Sequence, residues 1–536
     1  MSEWDFIVIG SGSSGSVVAN RLSGEVKSRV LLLEAGRQQR DWRFKIPLAG
    51  ISMRMHPKSS WCYESEPEPG LMGRCIEVPR GKGLGGSSLV NGAVYNRGNP
   101  RDFDQWAAQG LPGWDYVSVL PYFRRVENHW KGETFHHGVK GEVSVRQPQV
   151  ENPFSERAFE AAKSMGFSLS DDVSGPDPEG FHIPDFNVDD RGRRATTAAA
   201  FLDPIKSRKN LRIETEAHVV RILVENGRAV GVEYSQRGER KIAYAAREIV
   251  LSGGAYGSPQ ILMLSGIGPA DHLRSVGIDV VHDLSGVGQN LSDQPAAIFE
   301  ARTKEPKAFH RTFRADRFMM QLGRWFFGMR NELSTMPVIA AANMRTSQSA
   351  EGPDMRFMIS ALTMRNSIWF PGVRKGAGHF MMALYGVPHP RSRGHVSLRS
   401  SNPFEAPRIL FNMLTDPWDL AELRRGHKLM REFLAQPAMA SFVGDITLPF
   451  THLDTDDAID DFHRQFGMTT SHPVGTCRMG LDDGAVVDAE CRVRGIEGLR
   501  VIDLSVLPVQ ISGNPHGTAV MLGDKASDAI LGKPAL

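Results

Sequence analysis

Asp5-Phe-Ile-Val-Ile-Gly10-Ser-Gly12-Ser-Ser-Gly15 is the stretch that decides the fold. Residues 6–9 form a short apolar, β-rich run of the kind that fills a buried parallel strand. Gly10, Gly12 and Gly15 follow in G-x-G-x-x-G spacing, and Ser16 to Leu22 reads as a helix with an apolar face. In such a unit the first glycine permits a tight turn. The second lets backbone approach a pyrophosphate, and the third lets helix and strand pack. The helix N-terminus adds unpaired N–H groups and partial positive charge, with Ser13 and Ser14 in the same loop. A second strand, Arg29 to Leu33, ends at Glu34, where a carboxylate is placed to hold a ribose hydroxyl pair. Strand, loop, helix, strand and terminal acid together predict a dinucleotide-binding Rossmann-like unit.

At 536 residues the chain is too long for one ordinary core, so at least two domains are expected. Its 63 basic and 61 acidic residues leave a net charge of +2, which argues against a nucleic-acid partner. Cys62, Cys75, Cys477 and Cys491 have no C-x-x-C spacing, so a zinc or dithiol site is not expected, and no metal is expected elsewhere. A Cys62–Cys75 bridge is left open. No targeting segment is read ahead of the first strand and no apolar run of about twenty residues occurs, so a cytoplasmic protein without a transmembrane segment is expected.

A second glycine cluster, Arg80-Gly-Lys-Gly83-Leu-Gly85-Gly86-Ser87-Ser88-Leu-Val90-Asn91, leads into Gly92, Ala93 and Val94. It suggests a backbone nest against an extended polar ligand, with Ser87 and Asn91 as hydrogen-bonding groups. Val219–Val224 and Ala229–Tyr234 alternate around Asn226-Gly227, a hairpin signal. Ile249–Leu251 is a short buried strand ending at Ser252-Gly-Gly254. Arg and large apolar residues interleave over 313–330, which suggests an amphipathic helix able to touch a membrane surface or a hydrophobic entrance. His379–Tyr385 and His395–Arg399 read as strands of one antiparallel sheet, followed by a helix over Asp419–Leu434. Near the end stand Ser471-His472-Pro473, Val501-Ile-Asp503 and Ser512-Gly-Asn514-Pro515-His516-Gly-Thr518, the last opening a helix.

These blocks resemble the glucose–methanol–choline (GMC) family of flavin-dependent oxidoreductases. Gly81–Asn91 is similar to the family's first signature and Gly254–Gly268 to its second, and the texture is nearest the bacterial choline-dehydrogenase-like branch. The resemblance implies an α/β chain: a Rossmann-like FAD-binding domain with a second α+β substrate-binding domain built on an antiparallel sheet. The expected FAD-binding unit takes residues 1–155 (with a loop excursion over 40–80), 195–305 and 466–536. The substrate unit takes 156–194 and 306–465. FAD is implied at Gly10, Gly12, Ser13, Ser14, Gly15, Glu34, Gly85, Ser87, Asn91, Gly92, Ala93, Val94, Val219, Gly254, Asp503, Asn514, Pro515, His516 and Thr518. Some members link flavin to a His where this chain has Val90, so non-covalent FAD is implied.

The resemblance also implies a reaction. His472 takes the proton of an alcohol substrate while hydride passes from carbon to flavin N5, and His516 holds the alkoxide. Electrons then go to oxygen or a quinone-like acceptor. Choline-oxidising members usually carry Asn at the second position, so His516 argues against choline. An oxidase that releases peroxide and a redox-neutral hydroxynitrile lyase are the alternatives on this fold.

Overall fold

The computed structural model describes residues 4–148, 153–305, 309–347, 351–363, 365–449 and 452–536. Strand β1 (Trp4–Ile9) runs into helix α1 (Ser13–Leu22) and on to strand β2 (Val30–Leu33). Phe6, Ile7 and Val8 are fully buried, each contributing roughly 1.5–3 kcal/mol through transfer from water. β1 lies parallel between β2 and the long strand Glu239–Leu251, with Ile7 opposite Leu31 on one side and Ile249 on the other. Leu211–Glu214 extends the parallel layer beyond β2, and Leu499–Val501 joins the other side of Glu239–Leu251. The long strand leaves this layer at its N-terminal half. There it pairs antiparallel with the hairpin Ala217–Glu225 and Arg228–Gln236. Asn226 and Gly227, at φ 51° and 77°, make the hairpin turn that their sequence predicts.

The second sheet is antiparallel and has seven strands: Val443–Leu448, Pro295–Thr303, Phe380–Gly386, Met355–Ser360, Val338–Met344 and Gly180–His182 in spatial order, with Met468–Thr469 beside Pro295–Thr303. Two expectations change here. Pro295–Thr303, assigned to the FAD-binding unit, belongs to the second sheet, because a strand buried on both faces carries no alternation to say which sheet it joins. The expected boundary at 305–306 falls against residues outside those described. His395–Ser397 is not in the large sheet but pairs with Arg408–Leu410. The helix Pro417–Ala435 covers this sheet, and Tyr385 reaches from the sheet to His427 of that helix.

The helix Ala315–Phe326 buries Leu322 and Trp325 and exposes Met319, Met320 and Phe326. No helix among the described residues is long and apolar enough to cross a membrane. All four cysteines are free thiols, so Cys62 and Cys75 do not pair.

Candidate active site

One large cavity lies where the parallel layer, the second glycine cluster and the C-terminal loops meet. At its floor the three glycines of the opening loop divide their work. Gly10 is left-handed at φ 91°, and a Cβ there would stand 2.4 Å from the Ser252 carbonyl oxygen. A Cβ on Gly15 would stand 2.0 Å from the Gly10 carbonyl oxygen, so that glycine is needed for loop and helix to touch. A Cβ on Gly12 would meet no atom within 4 Å, because it points into the cavity. Gly12 is the N-cap of α1 and offers no side-chain cap. The N–H groups of the first turn are thus left for a ligand.

Glu34 ends β2 as expected, but its carboxylate is already well supplied. Oε2 accepts from Ser11 N (3.0 Å) and Ser11 Oγ (2.6 Å), and Oε1 from Gly36 N (2.8 Å) and Gly83 N (3.0 Å). It therefore ties the first glycine loop to the second as well as lining the cavity. Asn91 Oδ1 is likewise taken, by Ala93 N and by Arg194 Nη1 (2.7 Å), which leaves the Asn91 Nδ2 donors for a ligand. Arg194 is buried without a carboxylate among the described residues, and burial brings it down to about 10. Ser87 Oγ accepts from Gly81 N.

Gly92, Ala93, Val94, Val219 and Gly254 line the cavity, as do Ser13, Ser14, Asp503, Asn514, Pro515 and His516. A register shift follows Val219 and leaves backbone out of the ladder there. Asp503 accepts from Gly254 N, Ser258 Oγ and Ser505 N, and burial raises it above its ordinary range. Gly15, Gly85 and Thr518 do not line the cavity. Gly85 instead receives the Ser88 hydroxyl on its carbonyl, and Thr518 Oγ1 donates to the Arg97 carbonyl.

The two histidines expected to act together face different partners. His516 opens the terminal helix His516–Leu531, and its Nδ1 lies 2.9 Å from Ser13 Oγ at the start of α1. Burial, helped by Arg194, brings His516 down to about 4. The group at His472 Nε2 is instead Asn514 Nδ2, at 3.3 Å. This corrects the expectation for His516: the side chain meeting His472 is Asn514. Asn514 and His516 lie on one Pro-kinked loop, and the helix start at His516 turns its ring towards α1. With Asn in that position, the sequence argument against choline loses its footing.

The tautomer of His472 follows from hydrogen-bond chemistry. Gln294 Nε2 donates to the carbonyls of Pro388 (3.1 Å) and Ile511 (2.7 Å), so its Oε1 must face His472 Nδ1, at 2.8 Å. Nδ1 therefore carries the proton and Nε2 holds the lone pair. Asn514 is fixed in the same way. Its Oδ1 accepts from Asn96 Nδ2 (3.0 Å) and from Arg356 Nη2, which aims its amide N–H₂ at Nε2. Burial first, then Arg356 and Arg80, hold His472 well below the usual imidazole range, so it is neutral and ready to accept a proton. Asp293 Oδ1 accepts from His472 N, and Gln510 Nε2 donates to His472 O. Arg80 donates through Nη1 and Nη2 to the carbonyl of Ser471, itself left-handed at φ 64°. Backbone strain held beside a reacting group is a recurring active-site feature.

Comparison with known proteins gives this geometry its context. Residues 4–296 match the N-terminal GMC oxidoreductase model and residues 390–523 the C-terminal one. The chain belongs to the GMC oxidoreductase family. GMC oxidoreductases bind FAD, and the open face of Gly12, the uncapped α1 terminus and the spare Asn91 donors suit such a cofactor. An oxygen-dependent choline dehydrogenase of Chromohalobacter salexigens is 40% identical, with 100% of this chain and 96% of the relative aligned. One of Escherichia coli O17:K52:H18 is 39% identical over the same shares. Among solved structures, a pyridoxine 4-oxidase superposes with a TM-score of 0.88 at 29% identity, covering 98% of this chain and 99% of the other. An FAD-dependent oxidoreductase from Chaetomium thermophilum does so at 0.88 and 28%, with the same coverage. No cluster of three or more His, Cys, Asp or Glu able to hold a metal occurs among the described residues.

Gln294, Arg80 and Arg356 act at this site without having been singled out from the sequence. Gln294 had one usable signal, its place just past the Gly286–Asn290 block. Arg356 had none, since one Arg in the strand Met355–Ser360 reads as a solvent-facing position.

Proposed function

We propose that this GMC enzyme oxidises a primary or secondary alcohol to the aldehyde or ketone. The carrying observation is His472, fixed by Gln294 as the Nδ1–H tautomer with its Nε2 lone pair facing the cavity beside an Asn514 donor. In this reading His472 Nε2 accepts the hydroxyl proton. The Asn514 amide N–H then donates to the oxygen as negative charge builds on it, and Gln294 Oε1 supports the imidazolium from behind. A positioned base of this kind contributes about 10²–10⁴-fold in rate. Bound FAD supplies the hydride acceptor.

The cofactor-side groups in this reading are the α1 N-terminus with Gly12, the Asn91 amide and the backbone at Val219. Val90 packs with Phe44, Met53 and Leu89 and offers no nucleophile, which supports non-covalent attachment. Electrons leave to oxygen or to a quinone-like acceptor. The exposed Met319, Met320 and Phe326, with Phe327 beside them, support a peripheral membrane contact through 313–330.

The test is anaerobic mixing of the flavin-loaded protein with a panel of alcohols, followed by oxygen or a quinone dye. Bleaching of the oxidised flavin by an alcohol is the expected result. Product formation with the flavin permanently oxidised would replace this reading with a redox-neutral one.

A further inference from the structure

The charges around His472 bear on what its alcohol can carry, and the following rests on the alcohol reading above. Arg356 sits in the middle of the strand Met355–Ser360, opposite Asn343 on one side and Gly386 on the other. Neither neighbour is acidic. The residue is 5% exposed, and its one side-chain hydrogen bond among the described residues is from Nη2 to the neutral Asn514 amide. Burial alone accounts for its shift down to about 10, so it remains a cation at neutral pH with no carboxylate acting on it. A buried guanidinium without an anion is costly.

The acids around it are committed elsewhere. Asp185 accepts from Trp130 Nε1 and Asp102 from Ser512, while Glu179 pairs with Arg345. Asp293 accepts from Thr469 and from the His472 backbone. The acids that line the cavity, Glu34 and Asp503, are filled by the protein donors described above.

A second observation is independent of Arg356. An alcohol bearing a quaternary ammonium group is held by free aromatic faces. The aromatic rings lining this cavity are Trp61, Tyr63 and Tyr256. Lys82 Nζ already lies 4.1 Å from the Trp61 ring centre, and the Arg80 guanidinium 5.3 Å from that of Tyr256. Tyr63 is stacked on Trp61.

We infer that the substrate is an alcohol bearing a carboxylate, received by the Arg356 guanidinium beside the His472–Asn514 pair, and that choline-like cationic alcohols are rejected. A planar fork matches a carboxylate in shape and in charge.

The experiment uses the FAD-loaded full chain and has two arms. In the first, benzoate and tetramethylammonium are titrated separately into the oxidised enzyme and the flavin difference spectrum is followed. Benzoate is expected to perturb the flavin with saturation, and tetramethylammonium is not. In the second, kcat/KM is compared for 4-(hydroxymethyl)benzoate, benzyl alcohol and the 4-trimethylammonium analogue of benzyl alcohol. The carboxylate is expected to exceed the cation by about 100-fold, and R356Q is expected to lower the carboxylate-to-neutral ratio by about 100-fold, the scale set by leaving a built polar contact unpaired. Because the second readout is a ratio, any effect of Arg356 through Asn514 on the shared chemistry cancels. Preference for the cation, saturable tetramethylammonium binding without benzoate binding, or an unchanged ratio in R356Q would each overturn the inference. If R356Q does not fold, the wild-type titration alone decides. Benzoate binding with no alcohol oxidised would instead defeat the alcohol reading and leave the charge assignment standing.

Discussion

His427 and His463 show what burial does to a titrating residue away from the reacting groups. Tyr385 Oη lies 3.0 Å from His427 Nδ1 and 2.8 Å from His463 Nε2, all buried beneath the helix Pro417–Ala435. Burial brings His427 down to about 4 and His463 to about 3. Both are neutral in the fold, whereas the unfolded chain protonates them near pH 6.5. The unfolded state therefore binds more protons below that value. The pair's stabilisation is complete above pH 6.5 and is lost as pH falls towards 4 and then 3, by up to about 1.4 kcal/mol per pH unit for each proton taken up. Urea midpoints measured from pH 7 to pH 4 at constant flavin should fall less steeply in H427N than in the wild type. Equal slopes would show that the pair does not contribute. At the active site, residue identity was only partly legible. His472 announces itself between Ser471 and Pro473, but Asn514 and His516 are two positions apart on one loop. No spacing rule says which of the two faces His472. The Gln294 amide and the Arg356 guanidinium arrive from the second sheet and are fixed by contacts remote in sequence.

At the scale of elements, the strand–loop–helix that opens the chain was the most legible part, because glycine roles are written in backbone geometry. Gly10 and Gly15 are required by contacts at 2.4 and 2.0 Å, and Gly12 by the space in front of it. This division gives an expected separation of fold from cofactor. G12A should leave the melting temperature of the flavin-free protein within about 1 °C while sharply reducing the flavin retained on purification. G15A should destabilise the flavin-free protein itself by about 1–3 kcal/mol, the usual cost of overpacking. Loss of stability in both variants alike would remove the distinction. The strand Pro295–Thr303 was the least legible element. It is buried along most of its length, and its partners Phe380–Gly386 and Val443–Leu448 lie far ahead in the chain.

Across the whole molecule, the site is assembled from three regions that the chain order keeps apart. The opening loop and the second glycine cluster shape the cavity floor. The second sheet contributes Gln294 at its edge and Arg356 within it. The C-terminal loops bring His472 and Asn514 between them. His516, held to Ser13, links the terminal helix to α1 rather than serving His472. The same assembly explains why the family and its FAD were readable from separated motifs, while the charge of the pocket was not: Arg356, Arg80 and Lys82 acquire their meaning only when the sheet and loops close on one another. The measurement that tests this account most directly is the rate of anaerobic flavin reduction at saturating alcohol in H472A, N514A and H516A, each corrected for bound flavin. The expected result is a loss of about 10²–10⁴-fold in H472A, a clear loss in N514A, and a rate in H516A close to wild type. A loss in H516A as large as that in H472A, with N514A unimpaired, would contradict it.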